Sequence, residues 1–208
     1  MFHDALLKLV PLVLLTTLVL SLSDYAVAVE VGRVSRQGPD EIHATVLVPA
    51  PVSRVLTFLE EPCHLRRWVP KLGSLKILAR PRENQTLVYM ATDFAWPMPP
   101  RDSVTLFTRR QGPPITLDMQ SRPNALPEMP GYQRIPFSEG SWTLRIELSD
   151  STRVDYLQRI EPGGQLPQWL SDHVGMAHAA DLLGALRDYA GDTDISDCTS
   201  NHVSISDP

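Results

Sequence analysis

The sequence predicts an α+β fold in which a curved antiparallel sheet packs around one long C-terminal helix. Three observations support this prediction. Short segments of alternating apolar and polar residues, each bounded by turn-forming residues, follow one another through the middle of the chain. Their apolar residues collect on one face, which is typical of an antiparallel sheet covered on one side. Helical spacing of apolar residues is confined to a short stretch after residue 50 and a long stretch near the C-terminus.

Length and charge limit the possible functions. The chain has 208 residues and a formal net charge of −5, which suits one domain with a sizeable core. It has no basic patch with interleaved aromatic residues and no glycine-rich phosphate loop, so we expect no nucleic-acid partner. Because no Cys/His cluster has the spacing of zinc ligands, we also expect no metal, and we predict a monomer without a cofactor.

A separate segment precedes the predicted domain. An apolar run of about 14 residues from Leu9 to Leu22 suits a signal peptide and is shorter than the roughly 20 residues of a membrane span. Residues 26–28 then read Ala-Val-Ala, a pattern that signal peptidase accepts. We predict that residues 1–28 are a signal peptide and that the protein is periplasmic or secreted. The alternative is an uncleaved membrane anchor, since only Lys8 gives the start of the segment a positive charge.

The first elements of the domain are a hairpin and two short helices. Residues 29–37 and 40–49 alternate, and Gly38 and Pro39 supply the turn between them. The apolar spacing then becomes helical from Val52 to Leu59. Pro62 ends this helix, and a second short helix is predicted to run to Trp68.

About six strands follow in quick succession, ending with the segment TRVDYLQRI. Their apolar residues are predicted to share the inner face of the sheet: Val88, Met90, Val104, Leu106, Leu117, Met119, Trp142, Leu144, Ile146, Val154 and Tyr156. Between the second and third of these strands, the segment FAWPMPPRD cannot continue a sheet, because its prolines lack backbone donors. A long loop, PNALPEMPG, lies further along the chain.

The last element is a helix predicted over about residues 166–189. One stripe of this helix consists of Leu170, Val174, Ala177, Asp181 and Gly184, and it is widened by Trp169, Met176, Leu183 and Leu186. Because many residues along the helix are small, it leaves space against a large apolar sheet face, and we expect an internal apolar cavity there. The domain therefore spans residues 29–191 in a helix-grip arrangement, and the polar tail 192–208 is predicted to be disordered.

Two motifs resemble a known family. The segment WPMPPRDSVTLFTRR resembles the "WP…RD" motif of the START family, the steroidogenic-acute-regulatory-related lipid-transfer domains, and PGGQLPQW resembles the start of that family's closing helix. The resemblance covers roughly residues 30–190. It implies a lipid or sterol-like ligand in a cavity under the C-terminal helix, possible carriage of that ligand between membranes, and a transient contact with a membrane surface.

The resemblance also suggests roles for individual residues. Arg101 and Asp102 would hold the base of the WP loop through charged hydrogen bonds, and Gly163 and Gly164 would form the turn before the helix. The chain departs from the family at Gln165, where some members carry an aromatic residue. The predicted cavity and its entrance comprise Val88, Met90, Trp96, Met98, Leu106, Leu117, Trp142, Leu144, Tyr156, Trp169, Leu170, His173, Val174 and Ala177.

Other interpretations remain open at this point. Cys63 and Cys198 would form a disulfide in an exported protein, or they are two unrelated thiols. A cyclase- or hydrolase-like enzyme could use the same cavity, with His173, Tyr156 and Asp181 as its candidate acids and bases. An interaction module without a ligand would instead fill the cavity with side chains and present a flat apolar patch outside.

Overall fold

A computed structural model of the chain describes residues 29–34, 41–94 and 98–192. The predicted signal peptide, Trp96, Cys198 and the polar tail beyond residue 192 lie outside these ranges. The elements are, in chain order, β1 (Glu30–Val34), β2 (Glu41–Val48), α1 (Val52–Glu60), α2 (Pro62–Trp68), β3 (Leu72–Arg82), β4 (Gln85–Thr92), β5 (Arg101–Arg110), β6 (Ile115–Ser121), a 3-10 turn (Pro123–Ala125), β7 (Gln133–Arg134), β8 (Phe137–Leu148), β9 (Ser151–Glu161) and α3 (Gln168–Gly191).

These strands form a single sheet, and the predicted α+β fold is confirmed. The strand order is β1-β2-β9-β8-β6-β5-β4-β3, with antiparallel pairing throughout, and the two-residue β7 adds to β5 in parallel. After β2 the chain crosses to the far edge of the sheet through α1 and α2, then returns strand by strand until β9 pairs with β2. Among the described residues, no helix has the length and apolarity needed to cross a membrane.

The core lies between the inner face of the sheet and the helices. Alternate residues of β2, from Ile42 to Val48, are buried, and α3 packs against β1 and β2. Gly175 allows a close approach here: a Cβ atom would lie 2.8 Å from the Cδ1 atom of Ile42, so the end of that side chain would have to move. Phe58 and Leu59 of α1 are buried in the same core.

The buried stripe of α3 agrees with the predicted one only at Leu183 and Leu186. It consists of Ala179, Leu182, Leu183, Leu186 and Ala190. Asp181 and Ala177, which belong to the predicted stripe, are exposed. Small apolar residues occur on every side of this helix, so the sequence pattern alone does not select a face.

The inner face of β5 also differs from the prediction. Thr105 and Phe107 face inward, opposite Val88 and Thr86 of β4. Leu106 pairs with Leu87 and points to the outer face, as does Val104, which is buried in a separate cluster with Tyr89 and Ala91. The alternation rule fails here because the loop before β7 covers the outer face, so both faces of β5 carry apolar residues.

Another predicted inner-face residue is solvent-exposed. Ile146 has 74% of its surface exposed, and Leu148 has 64%, because the β8–β9 hairpin extends beyond the region that the helices cover.

Candidate ligand-binding site

A cavity of about 160 Å³ lies between the inner face of the sheet and the helices α2 and α3. Three of the predicted ligand-binding residues, Met90, Trp142 and Tyr156, line it. The remaining lining comes from the three helices, from strands of the sheet and from the segments next to them: Leu59, Leu65, Trp68, Val69, Leu72, Thr92, Phe94, Ser103, Thr105, Phe107, Met119, Ile135, Ser138, Gln158, Ile160, His178 and Leu182. Among the described residues, no charged side chain belongs to this lining.

Three aromatic rings in edge-to-face and tilted contacts form one wall of the cavity. The Trp142 ring lies 4.5 Å from the Tyr156 ring and 6.4 Å from the Trp68 ring, measured between centroids. Trp68 is fixed in turn, because its Nε1 donates a hydrogen bond of 2.9 Å to the Phe58 carbonyl oxygen. These contacts orient large apolar surfaces toward the cavity before any ligand is present.

Polar groups are few in this wall. Gln158 Nε2 donates to Ser138 Oγ at 3.2 Å, so these two side chains satisfy each other in part. Tyr156 also belongs to this wall and is only 4% exposed. Burial raises the pKa of this phenol, so it is neutral across the physiological range.

His178 is the unpredicted polar residue of the cavity. Its ring lies 5.5 Å from the Phe94 ring in an edge-to-face arrangement, and its Nδ1 atom is shielded from solvent without a partner in the described chain. Burial lowers the pKa of His178, and the positive charge of Lys71 lowers it further, against the opposing effect of Asp181. The imidazole is therefore neutral at neutral pH.

The sequence interpretation favoured the wrong histidine. His173 is exposed on α3 and does not line the cavity, whereas His178 lies one helical turn before the buried Leu182. The spacing of four residues between His178 and the buried Leu182 indicates that both lie on the same face of α3. The predicted stripe was centred on another face of the helix, so this spacing did not identify His178 as a cavity residue.

A second cavity, of about 190 Å³, adjoins the first. Leu59, Leu65 and Phe107 line both cavities and separate them. The predicted site residues Val88 and Leu117 line the second cavity rather than the first.

Charged residues are concentrated at this second cavity. Its lining includes Glu60, Glu61, Arg80, Glu83 and Arg109. Arg109 Nη1 donates to Glu60 Oε2 at 2.9 Å. Partial burial raises the pKa of Glu60, an effect that Arg109 opposes.

Arg101 joins the two loops that carry the family motifs. Its Nη1 donates to the Pro99 carbonyl oxygen at 2.8 Å, and its Nε donates to the Pro162 carbonyl oxygen at 3.0 Å. A third bond, of 3.4 Å, reaches the carbonyl oxygen of Gly163. The WP loop and the turn before α3 are therefore held together by one buried guanidinium.

Asp102 lies under the other side of the same loop base. Both of its carboxylate oxygens accept hydrogen bonds from Arg134, at 2.8 and 2.9 Å, and both side chains are almost fully buried. Arg134 also donates to the backbone oxygens of Leu126 and Pro127, which fixes the long loop over the outer face of the sheet. Burial and the negative charge of Asp102 raise the pKa of the neighbouring Tyr89 to about 12.

The turn before α3 depends on two glycines. Gly163 and Gly164 have φ angles of 72° and 73°, in the left-handed region that favours glycine. A Cβ atom on Gly163 would also lie 2.9 Å from the Arg134 carbonyl oxygen, so this position has no space for a side chain.

Several predicted site residues lie elsewhere. Trp169 is 71% exposed at the start of α3, and Ala177 is also exposed, while Leu170 and Val174 are half-buried; none of them lines either of the two cavities. Met98 is buried beside the loop base without lining these cavities, and Leu144 is buried in the core. Trp96 lies outside the described residues.

A curved antiparallel sheet that holds a long C-terminal helix, with an uncharged cavity between them, defines the helix-grip class of α+β domains. Residues 30–187 match the family model described as the START domain, and the chain belongs to this family.

Individual proteins are also similar to this chain. The crystal structure of a STAR-related lipid transfer protein from Xanthomonas axonopodis shares 28% identity and superposes with a TM-score of 0.69, covering 78% of this chain and 92% of the other. Human STARD10 has the same fold, with 17% identity and a TM-score of 0.68 over 78% of this chain and 73% of the other. The uncharacterized protein PA1579 of Pseudomonas aeruginosa is 26% identical over 145 residues, which are 69% of this chain and 71% of that protein.

Proposed function

We propose that the protein binds a lipid or another hydrophobic small molecule in the cavity between the sheet and α3, and that it carries this ligand between membranes. The observation that carries the proposal is the cavity lining, which combines aromatic and aliphatic side chains with no charged residue. Membership of the START family and the similarity to a lipid transfer protein support the same function.

The size of the cavity restricts what it holds at rest. A volume of about 160 Å³ is below the roughly 300–1,000 Å³ of sites for drug-sized ligands. A larger lipid would therefore have to displace the partition formed by Leu59, Leu65 and Phe107 and enter the second cavity. Side-chain rotation of Phe107 is the smallest movement that would join the two volumes.

Ligand binding is tested with the full-length protein purified from its own host. We expect native mass spectrometry and solvent extraction to reveal a hydrophobic molecule, and we expect the apolar dye phenylnaphthylamine to become fluorescent when it enters the cavity. Met90→Trp should abolish dye uptake because it fills the cavity, whereas Met129→Trp, on an exposed loop, is the matched control. A protein that is always empty and excludes the dye would contradict the proposal.

Carriage between membranes requires a transient membrane contact, for which Trp169 is the exposed candidate. Transfer of one tryptophan into a bilayer interface contributes at most a few kcal/mol, which suits brief docking. Trp169→Ala should weaken binding to phospholipid vesicles, while Ile146→Ala, which also removes an exposed apolar side chain, should not. Equal binding by both variants and the wild type would contradict a role for Trp169.

We also propose that the protein is exported, on the basis of the N-terminal apolar run and the Ala-Val-Ala pattern at residues 26–28. N-terminal sequencing of the protein from its host should begin at Val29. The enzyme alternative has less support among the residues first considered, because His173 and Asp181 are exposed and only Tyr156 lines the cavity.

A further inference from the structure

One polar atom beside the first cavity lacks a partner. His178 lines the cavity, and its Nδ1 atom is buried without a hydrogen-bond partner among the described residues. Buried polar groups in native proteins are nearly always hydrogen-bonded, and an unpaired one is costly. The His178 side chain is therefore suited to a ligand that brings hydrogen-bonding capacity of its own, and Tyr156 adds a phenol to the same lining.

The cavity is suited to an uncharged ligand group. None of its lining side chains is Asp, Glu, Lys or Arg, and burial and the charge of Lys71 keep His178 neutral, against the weaker opposing effect of Asp181. A phosphate or ammonium group placed here would lose its hydration without gaining a counter-charge. Charged side chains are instead found beyond Phe107, around Glu60 and Arg109 in the second cavity.

The hydrogen-bonding capacity of His178 and Tyr156 limits which neutral groups of a ligand can pair with them. A neutral imidazole presents one donor nitrogen and one acceptor nitrogen, and a phenol both donates and accepts. A hydroxyl group satisfies His178 in either tautomer, because it also donates and accepts. An ether oxygen only accepts, so it satisfies only one of the two tautomers at a given nitrogen.

We infer that this cavity takes a neutral ligand with an apolar body and a hydroxyl group, and that the His178 imidazole is hydrogen-bonded to that hydroxyl. The inference rests on the proposed function, since it presumes a ligand in the cavity. Phe94, whose ring meets His178 edge to face, would pack beside the same end of the ligand.

Competition among three small amphiphiles tests the inference. Phenylnaphthylamine is first bound to the full-length protein and is then displaced by octanol, by its isomer heptyl methyl ether, or by octyl phosphate. We expect octanol to compete about tenfold more tightly than the ether, the difference that one good hydrogen bond makes, and octyl phosphate to compete least.

Two matched variants test whether the preference for octanol depends on His178. His178→Phe retains the ring and its contact with Phe94, and it should reduce the tenfold preference for octanol to about one. His173→Phe makes the same change at an exposed position of α3 and should leave the preference intact. If His178→Phe fails to fold, the ring nitrogens of His178 in ¹⁵N-labelled wild-type protein are observed by NMR with and without octanol. A nitrogen shift that changes more with octanol than with the ether supports the inference, and equal changes overturn it.

The outcomes separate the inference from the proposed function. If the dye binds but octanol and the ether displace it equally, or octyl phosphate displaces it best, the hydroxyl inference is overturned while hydrophobic binding stands. If His178→Phe keeps the octanol preference, His178 is not the partner. If the dye does not bind at all, the proposed function fails, and the inference fails with it.

Discussion

Arg101 Nε donates a hydrogen bond of 3.0 Å to the carbonyl oxygen of Pro162, and this contact connects segments 61 residues apart. Arg101 is only 2% exposed, and its guanidinium donates to backbone carbonyl oxygens on both loops. Burial accordingly lowers the pKa of its guanidinium. The guanidinium therefore holds the WP loop and the turn before α3 at a fixed distance from each other.

This geometry predicts the effect of a conservative substitution. Arg101→Lys keeps the charge but loses the planar fork, so at least one of the three carbonyl bonds is broken. We expect urea unfolding to show a loss of about 2–3 kcal/mol in the free energy of unfolding. Arg110→Lys, on an exposed side chain of the same strand, is the control and should change stability by less than about 0.5 kcal/mol. Equal stabilities would contradict the proposed clamp.

The Asp102–Arg134 pair predicts a non-additive result. Asp102→Asn leaves the Arg134 guanidinium buried without its counter-charge, and we expect a loss of about 3–5 kcal/mol in the free energy of unfolding. Replacing Arg134 as well, in the Asp102→Asn/Arg134→Met double variant, removes that uncompensated charge. The double variant should therefore be less destabilised than the sum of the two single variants, in a double-mutant cycle measured by urea unfolding. Simple additivity would show that the two charges do not interact.

The depressed pKa of His178 predicts a pH effect on stability. Because the folded state binds this proton less readily than the unfolded state, acid favours unfolding from the ordinary histidine value of about 6.5 down to the lowered pKa. Stability due to this group is therefore present above that window and is lost as the pH falls through it. Burial is the main cause, with Lys71 adding to it and Asp181 opposing it.

The measurement compares urea midpoints at about pH 7.5 and about pH 5. The wild type should lose more stability between these values than His178→Phe, which has no titrating group at this position. His173→Phe should behave as the wild type does, because His173 is exposed. An identical loss in the wild type and His178→Phe would show that His178 does not titrate differently on folding.

The partition between the cavities predicts a gain of function. Phe107→Ala removes the ring that lines both cavities, and the joined space should accept longer chains. We expect dodecanol to displace phenylnaphthylamine more tightly from this variant than from the wild type, at a cost of about 3–5 kcal/mol in stability. Leu106→Ala, on the outer face of the same strand, is the matched control and should leave chain-length preference unchanged.

The predicted disulfide is tested chemically. In the exported protein, Cys63 and Cys198 should form an intramolecular bond, so the denatured, non-reduced chain should show no reactive thiol. Reduction should expose both thiols and increase the mass by two hydrogens. Thiol reactivity before reduction would contradict the bridge.

Element order was predictable because each strand is short, alternates and ends at a turn residue, and the order of strands and helices in the structure agrees. The inward face of β5 was not predictable from alternation, because a loop covers its outer side and both phases carry apolar residues. The buried face of α3 was hidden by its small residues. Its correct assignment would have identified His178 rather than His173.

The sequence also did not predict which side chains pair when the partners are far apart in the chain. The WPMPPRD motif predicted charged hydrogen bonds from Arg101 and Asp102, but not their partners. Arg134 is 32 residues from Asp102, and no local pattern distinguishes it from the other arginines of the chain. The pairing becomes visible only when β7 adds to β5 and brings the two side chains to the same loop base.

The two cavities differ in polarity, so the two ends of the protein interior are not equivalent. The uncharged cavity lies toward Phe94 and the WP loop, and the charged one lies toward Asn84 at the opposite end of β4. An amphiphile long enough to occupy both would have different interaction energies in its two possible orientations. The domain would then hold such a molecule in one orientation more often than in the other.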